Sequence, residues 1–250
     1  MNERYDFRTK RLFVNDALVQ NQAITTDRAQ ANYLLNVLRL KADDSVLLFN
    51  GRDGEWRASI VPTGRKACNL VPIEQLRVQP QPYDLLYCFA PLKQARLDYM
   101  VQKSVEMGAG QLQPVITQYT QVHKLNEDRI SSNLVEAAEQ CGILSIPTLS
   151  NALSLEALLE NWPEDQPSRA LIFCDELADA SDQVQRLQTM SAQPLAVLIG
   201  PEGGFSEAER LLLRSKPFVH GLSLGPRILR ADTAAVAAMA IIQAFIVDYR

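Results

Sequence analysis

Leu195–Glu209 reads LAVLIGPEGGFSEAE. An apolar run ends abruptly in Gly-Pro-Glu-Gly-Gly, and Ser206 then opens a helical pattern. A short, continuous apolar run is what a parallel strand shows when both of its faces are covered. Ser206 and Glu209 fit the S-x-x-E capping box, in which hydroxyl and carboxylate satisfy each other's backbone N–H groups at a helix start. The stretch is therefore a strand, a glycine loop and a helix, the unit of an α/β domain. Glycines there let a backbone come close to a ligand or to the chain itself. A phosphate cradle fits poorly. A P-loop needs Lys after its last glycine, where Phe205 stands, and the G-x-G-x-x-G fingerprint is missing too. Glu202 would also repel phosphate. Two readings remain: a loop offering backbone groups to a ligand that is not strongly anionic, or a tight turn whose glycines serve chain geometry alone.

The next apolar segments repeat the form. LSLGPRILRADTA, Leu222–Ala234, is again a strand, Gly-Pro and a helix start, and RALIFCDE ends in Asp175 and Glu176. Ligands of open α/β sheets gather at the carboxyl ends of strands, so two Gly-Pro loops at neighbouring ends can form the two walls of a slot. Arg227 and Arg230 lie three apart in the second loop. Arg230 directly precedes a helix, where a cation opposes the dipole, and a locally unfavourable residue is often a functional one. Asp232 suits an N-cap. The final helix, TAAVAAMAIIQAFIV from Thr233, is apolar nearly all round and reads as buried on every side. It is too short to span a bilayer and is flanked by Asp232 and Asp248.

From Leu85 onward strands alternate with helices: LLYCFA, then QARLDYMVQKSVEM stopped by Gly108, LQPVIT, then DRISSNLVEAAEQC stopped by Gly142. The pattern predicts an α/β domain with a mostly parallel sheet over residues 85–250. Residues 1–76 read differently. RLFV, SVLLFN, EWRASIV and ACNLVPI are short strands, NGRDGE is a hairpin turn, and RAQANYLLNVLRL is one helix with Tyr33, Leu34, Val37, Leu38 and Leu40 on its apolar face. This predicts a small β-barrel. RVQPQPYD, residues 77–84, is the expected linker.

The bulk numbers exclude several classes. The chain of 250 residues is 47% apolar and 22% charged, a composition of soluble globular proteins. Cys68, Cys88, Cys141 and Cys174 are scattered without C-x-x-C, and with only two histidines they supply no metal-binding spacing. They read as reduced thiols, and the charged N-terminus lacks the apolar core of a signal peptide; both point to the cytoplasm. Net charge is −4, yet residues 1–76 carry 11 Lys and Arg against 9 Asp and Glu. A slightly basic front on an acidic remainder suits an RNA-binding module joined to a catalytic one.

LIGPEGGFSEAE followed by LSLGPRILRADTAAVAA resembles the paired C-terminal motifs of the SPOUT methyltransferases. VLRLKADDSVLLFNG, LDYMVQKSVEMGAGQLQPVIT and EAAEQCGILSIP extend the resemblance over nearly the whole chain, to the small-subunit ribosomal RNA methyltransferase E family, the 16S rRNA uridine N3-methyltransferases. The resemblance implies a PUA-like N-terminal barrel and a C-terminal α/β domain with a deep trefoil knot. It further implies S-adenosylmethionine as methyl donor, 16S rRNA of the small ribosomal subunit as substrate, and a homodimer; the residues themselves already argue against metal and membrane. On that basis the three loops wrap a bent cofactor, held by Cys174, Asp175, Glu176, Ile199, Gly200, Pro201, Glu202, Gly203, Gly204, Leu224, Gly225, Ile228, Leu229, Arg230, Thr233 and Ala234. Tyr33 or Asn32, the TQYTQV segment and Ile143 depart from the family pattern, each lacking a cation or imidazole usual there.

N3 of uridine must lose its proton before it can attack a methyl group. Arg230 is the first expectation for stabilising the resulting anion, with Arg227 second. Glu202 is the expected base, or else the holder of a backbone turn or an arginine. Arg8, Lys10, Arg11, Arg39 and Lys41 are candidate RNA phosphate contacts, or solvated barrel charges. Two other readings use the same fold: a ribose 2′-O-methyltransferase, and a non-catalytic RNA-binding protein.

Overall fold

The computed structural model describes residues 6, 8–42, 44–64, 66–175, 178, 183–190 and 193–244. The chain divides into two compact units, Met1–Gln81 with Ala138–Ile146, and Pro82–Ala137 with Pro147–Arg250.

In the first unit, β1 (Arg11–Phe13), β2 (Ile24–Thr25), β3 (Ser45–Phe49), β4 (Glu55–Gly64) and β5 (Ala67–Arg77) form one sheet in the order β1-β3-β4-β5-β2. Only β1 and β3 run parallel. The expected hairpin joins β3 to β4. Asn50 Oδ1 accepts from the N–H groups of Arg52 and Asp53, and Gly54 closes the turn at φ 76°. A Cβ at Gly54 would stand 2.1 Å from the Arg77 carbonyl oxygen, so a side chain has no room there. Leu12, Val46, Leu48, Ala58, Ile60 and Leu70 form the core with Leu34. The helix expected through Leu40 is shorter. A capping box between Asp27 and Gln30 starts α1 (Arg28–Asn32), and the chain then widens into a π-helical turn, Tyr33–Val37. The change of pitch turns Val37 out to 61% exposure, whereas Leu34 stays buried.

A buried ion cluster sits in this unit. Glu55, 3% exposed, receives Arg11 Nε at 2.8 Å and both Nε and Nη2 of Arg77 at 2.8 Å. Arg11 is thus no phosphate contact: it is buried on β1 and committed to Glu55. Arg77 also donates to the Gly142 carbonyl at 3.0 Å, Gln79 donates to Ser145 Oγ at 3.1 Å, and Glu139 accepts from Phe13 N at 2.8 Å. These contacts place Ala138–Ile146 in the first unit, although sequence order assigned it to the second domain. The expected linker 77–84 is likewise not slack. Arg77 ends β5, and Asp84 pairs with Arg169.

The second unit is built on parallel strands: β6 (Leu85–Phe89), β7 (Gln111–Ile116), β8 (Thr148–Leu149), β9 (Leu153–Ser154), β10 (Ala170–Cys174), β11 (Leu195–Ile199) and β12 (Val219–Leu222). Their order is β12-β10-β11-β6-β7-β8, with β9 on β7. Helices α2 (Gln94–Glu106), α3 (Glu127–Cys141), α6 (Glu207–Arg214) and α7 (Ala231–Gln243) match the sequence pattern. Two helices were not foreseen, α4 (Leu155–Asp165) and α5 (Gln183–Met190). α4 was legible: Ser154 caps it by accepting from Ala157 N, and Leu155, Leu158, Leu159 and Trp162 recur at helical spacing on its buried face. α7 packs on α2 and β11. It is not buried all round: Ala235, Ala238, Met239 and Ile242 are buried, Ala240 is exposed, and Val236, Ala237 and Ile241 are half-buried.

Removing one partner of a buried ion cluster leaves the other charges uncompensated. Glu55→Ala is expected to lower the stability of the first unit by about 3–5 kcal/mol, read as an early thermal transition, while Glu74→Ala, which breaks only the exposed Arg57–Glu74 pair, changes it little.

Candidate active site

Parallel pairing brings three strand ends together. Phe173 of β10 is in register with Leu198 of β11, and Cys174 with Leu222 of β12. The residues that follow, Asp175, Gly200 and Ser223, therefore leave the sheet side by side, at its carboxyl edge. The loops enclose a cavity of about 200 Å³. Cys174 and Asp175 line it from β10. Ile199, Gly200, Pro201, Glu202, Gly203, Gly204 and Phe205 line it from the loop after β11. Leu224, Gly225, Arg227, Ile228 and Leu229 form the facing loop, with Ala231 and Ala234 of α7 behind it.

Most sequence-predicted site residues thus meet in one cavity. Arg230 and Thr233 do not line it, and Glu176 lies outside the described residues. Arg230 occupies the N-cap of α7 with extended backbone, its side chain 67% exposed and its Nε 3.7 Å from Asp232 Oδ1. Asp232 is accordingly not the N-cap. It sits in the first turn, where its charge suits the helix dipole, and accepts from Thr233 N at 3.0 Å. Phe205 and Ala231 were missed. Phe205 follows the last glycine of the loop, and Ala231 stands three residues before Ala234 on one helix face, so spacing held a signal for each.

Two of the loop glycines make room for rings of the chain itself. A Cβ on Gly200 would lie 3.0 Å from the Phe205 ring, and one on Gly203 would lie 3.0 Å from Tyr119 Cβ. Gly225 is different: its φ of 96° requires glycine, and nothing lies near its missing Cβ.

Charges hold these loops in place. Asp175, 2% exposed, accepts from Arg214 Nη2 at 2.6 Å and lies 3.4 Å from Arg210 Nη1, both on α6. Arg210 Nε donates to the Phe205 carbonyl at 3.2 Å, so one arginine ties two walls together. The capping box at the start of α6 forms as expected, and Glu209 Oε1 also accepts from Gln118 N at 2.7 Å. Glu202 accepts from Arg96 Nη1 of α2 at 3.1 Å, the alternative in which it holds an arginine, although its sequence position did not say which one. Burial, reinforced by the Asp175 charge, pushes the Cys174 thiol up to about 12, so it faces the cavity as a neutral group at every physiological pH. Among the described residues no cluster of His, Cys, Asp or Glu could hold a metal ion, and no helix is long and apolar enough to cross a membrane. In the first unit Arg8, Lys10, Arg39 and Lys41 are exposed.

Asp175→Asn keeps the shape but removes the charge that both arginines address. It is expected to cost about 1.5–3 kcal/mol of stability, the range for hydrogen bonds to a charged group, measured by urea unfolding. Wild-type stability in that variant would remove the clamp from the account of the site.

Residues 79–243 match the family model described as an RNA methyltransferase domain, and residues 26–73 match an RNA methyltransferase PUA domain. The chain is 30% identical over 232 residues to the ribosomal RNA small subunit methyltransferase E of Rickettsia conorii, covering 92% of this chain and 93% of that protein. It is similar in structure to a putative methyltransferase of Legionella pneumophila solved with bound S-adenosylmethionine, with a TM-score of 0.81 at 29% identity over 95% and 98% of the two chains. The methyltransferase E of Neisseria gonorrhoeae shares the fold, with a TM-score of 0.82 at 22% identity over 96% and 98%. With matches that run nearly end to end and a cavity built from the matched loops, the chain belongs to the ribosomal RNA small subunit methyltransferase E family of RNA methyltransferases.

Proposed function

We propose that this protein transfers a methyl group from S-adenosylmethionine to N3 of a uridine in the 16S rRNA of the small ribosomal subunit. The observation that carries the reading is the cavity between two Gly-Pro loops at adjacent carboxyl strand ends. Its walls are mostly apolar side chains and backbone, with a neutral thiol at one end. Such a lining fits an adenine ring and a sulfonium, and it has no lysine to seat a phosphate. Cys174, Asp175, Ile199–Gly204, Leu224, Gly225, Ile228, Leu229 and Ala234 would hold the cofactor, which supplies an electrophilic methyl carried on sulfur.

Arg227, which lines the cavity, takes the role that sequence reasoning ranked first for Arg230. Its guanidinium stabilises the charge that spreads onto O2 and O4 as N3 releases its proton to solvent water. Glu202 holds Arg96, and with it the loop. Positioning by the rigid loops supplies much of the remaining acceleration, because the nucleophile must approach in line with the breaking bond. Arg8, Lys10, Arg39 and Lys41 contact RNA phosphates from the first unit, whose five-stranded sheet curls into a PUA-like barrel. The trefoil knot in the second unit is what the family resemblance implies, with α7 returning from β12 to pack on α2 and β11. The apolar face of α7 that this chain leaves half-covered supports a homodimer, working in the cytoplasm where ribosomes mature.

Nucleoside mass mapping of 16S rRNA from cells lacking the protein tests the reading. Loss of 3-methyluridine, restored by the gene, is expected; loss of a 2′-O-methyl nucleoside instead would assign the ribose reaction. Arg227→Ala is expected to lower kcat about 100- to 1,000-fold with cofactor affinity unchanged by calorimetry, while Glu202→Gln retains turnover within a few-fold. Affinity for rRNA should fall with salt with a log–log slope of about −3, and each Lys or Arg removed from the set of four should flatten it by about 0.7.

A further inference from the structure

The loop that follows β7 carries an aromatic ring that the reaction scheme leaves unused. Tyr119 is 45% exposed, yet its backbone is firmly held. Thr117 N donates to Thr120 Oγ1 at 2.9 Å, the two threonine hydroxyls lie 2.9 Å apart, and Thr120 N donates to the Thr117 carbonyl at 3.1 Å. Between them Gln118 N donates to the buried carboxylate of Glu209 at 2.7 Å. Both threonines are themselves buried. An aromatic residue on a four-residue turn locked this way has little conformational entropy left to lose when something covers it.

Its position is specific as well. Tyr119 lies against Gly203, where even a methyl group would meet it at 3.0 Å, so the ring backs directly onto a cavity-lining loop. Glu202, the residue before Gly203 in that loop, holds Arg96, whose side chain is 40% exposed. The Gly-Pro-Glu-Gly-Gly loop, which lines the cavity, thus has an aromatic ring against Gly203 and a guanidinium on the adjoining Glu202. An unpaired base seeks a flat π-surface for stacking and a cation for the adjoining phosphate. We propose that Tyr119 is a stacking subsite for an unpaired RNA base at the rim of the cavity, with Arg96 meeting the neighbouring phosphate. Tyr119 is a positioning residue in this scheme. It orders the strand on either side of the target uridine and does not touch the methyl group. The proposal rests on the methyltransferase reading above.

The test uses the full chain, with labelled oligouridylate as the binding probe and isolated small subunits as the methylation substrate. Tyr119→Ala is expected to weaken oligouridylate binding, measured with cofactor present, by about 5- to 100-fold, the usual range for loss of one base–aromatic stack. KM for small subunits should rise in step with kcat nearly unchanged, and Tyr119→Phe should restore both values. Cofactor affinity by calorimetry should stay within twofold in both variants. Unchanged RNA binding in Tyr119→Ala would overturn the proposal, as would a failure of Phe to rescue it. An equal loss of cofactor affinity would also overturn it, assigning Tyr119 to packing against Gly203. These outcomes are read against a wild-type protein that methylates. A wild-type protein that binds no cofactor and transfers no methyl group would instead overturn the functional reading beneath it.

Discussion

A buried carboxylate at the end of β10 holds the working edge of the second unit together. Asp175 lies out of water between Arg210 and Arg214 of α6, and Arg210 reaches on to the Phe205 carbonyl. One ion cluster therefore couples the first wall of the cavity to the second. Phe205 is fixed again from inside, edge-on to Phe173 with ring centroids 5.9 Å apart. From the other side Glu209 binds the turn after β7. The loops after β7, β10 and β11 are held in one geometry because α6 is pinned to all three. That rigidity is what a transfer reaction dependent on alignment requires.

The charges nearest the site act mainly on the protein. Asp175 and Glu202 both line the cavity, yet both carboxylates are engaged by arginines from neighbouring helices. Beside Arg227, what faces the open space is mostly backbone, aliphatic side chain and a thiol kept neutral by burial. A cationic methyl donor is served well by such a lining, since a fixed, unpaired carboxylate would bind its ground state more tightly than the transition state, in which the positive charge is fading. The first unit uses the same device away from any site. Glu55 between Arg11 and Arg77 joins the end of one strand to the start of another, and Arg77 extends the link to Gly142.

Much of this was legible in the chain, for local reasons. Continuous apolar runs marked β10 and β11, the second ending in Gly200, Gly108 and Gly142 marked helix ends, and Ser206 with Glu209 marked a helix start that formed as read. The repeated Gly-Pro loop located both long walls of the cavity. α4 carried a cap and a periodic face that could have been read and was not. Val37 could not have been read, because the π-helical turn that exposes it alters the pitch on which the periodicity argument depends.

The sequence by itself determined the alternation of strands and helices, the division into a β-rich front and an α/β remainder, and the loops that would carry the site. Those features depend on residues within a few positions of one another. Only the tertiary structure decided where individual charges point. Arg11 turned inward to Glu55, Arg230 outward at a helix cap, and Glu202 toward Arg96, more than a hundred residues earlier in the chain. It also drew 138–146 to the first unit and spent the room left by Gly200 and Gly203 on Phe205 and Tyr119. A charge or a glycine in a sequence states what contact is allowed; which partner takes it depends on what the fold brings within a few ångströms.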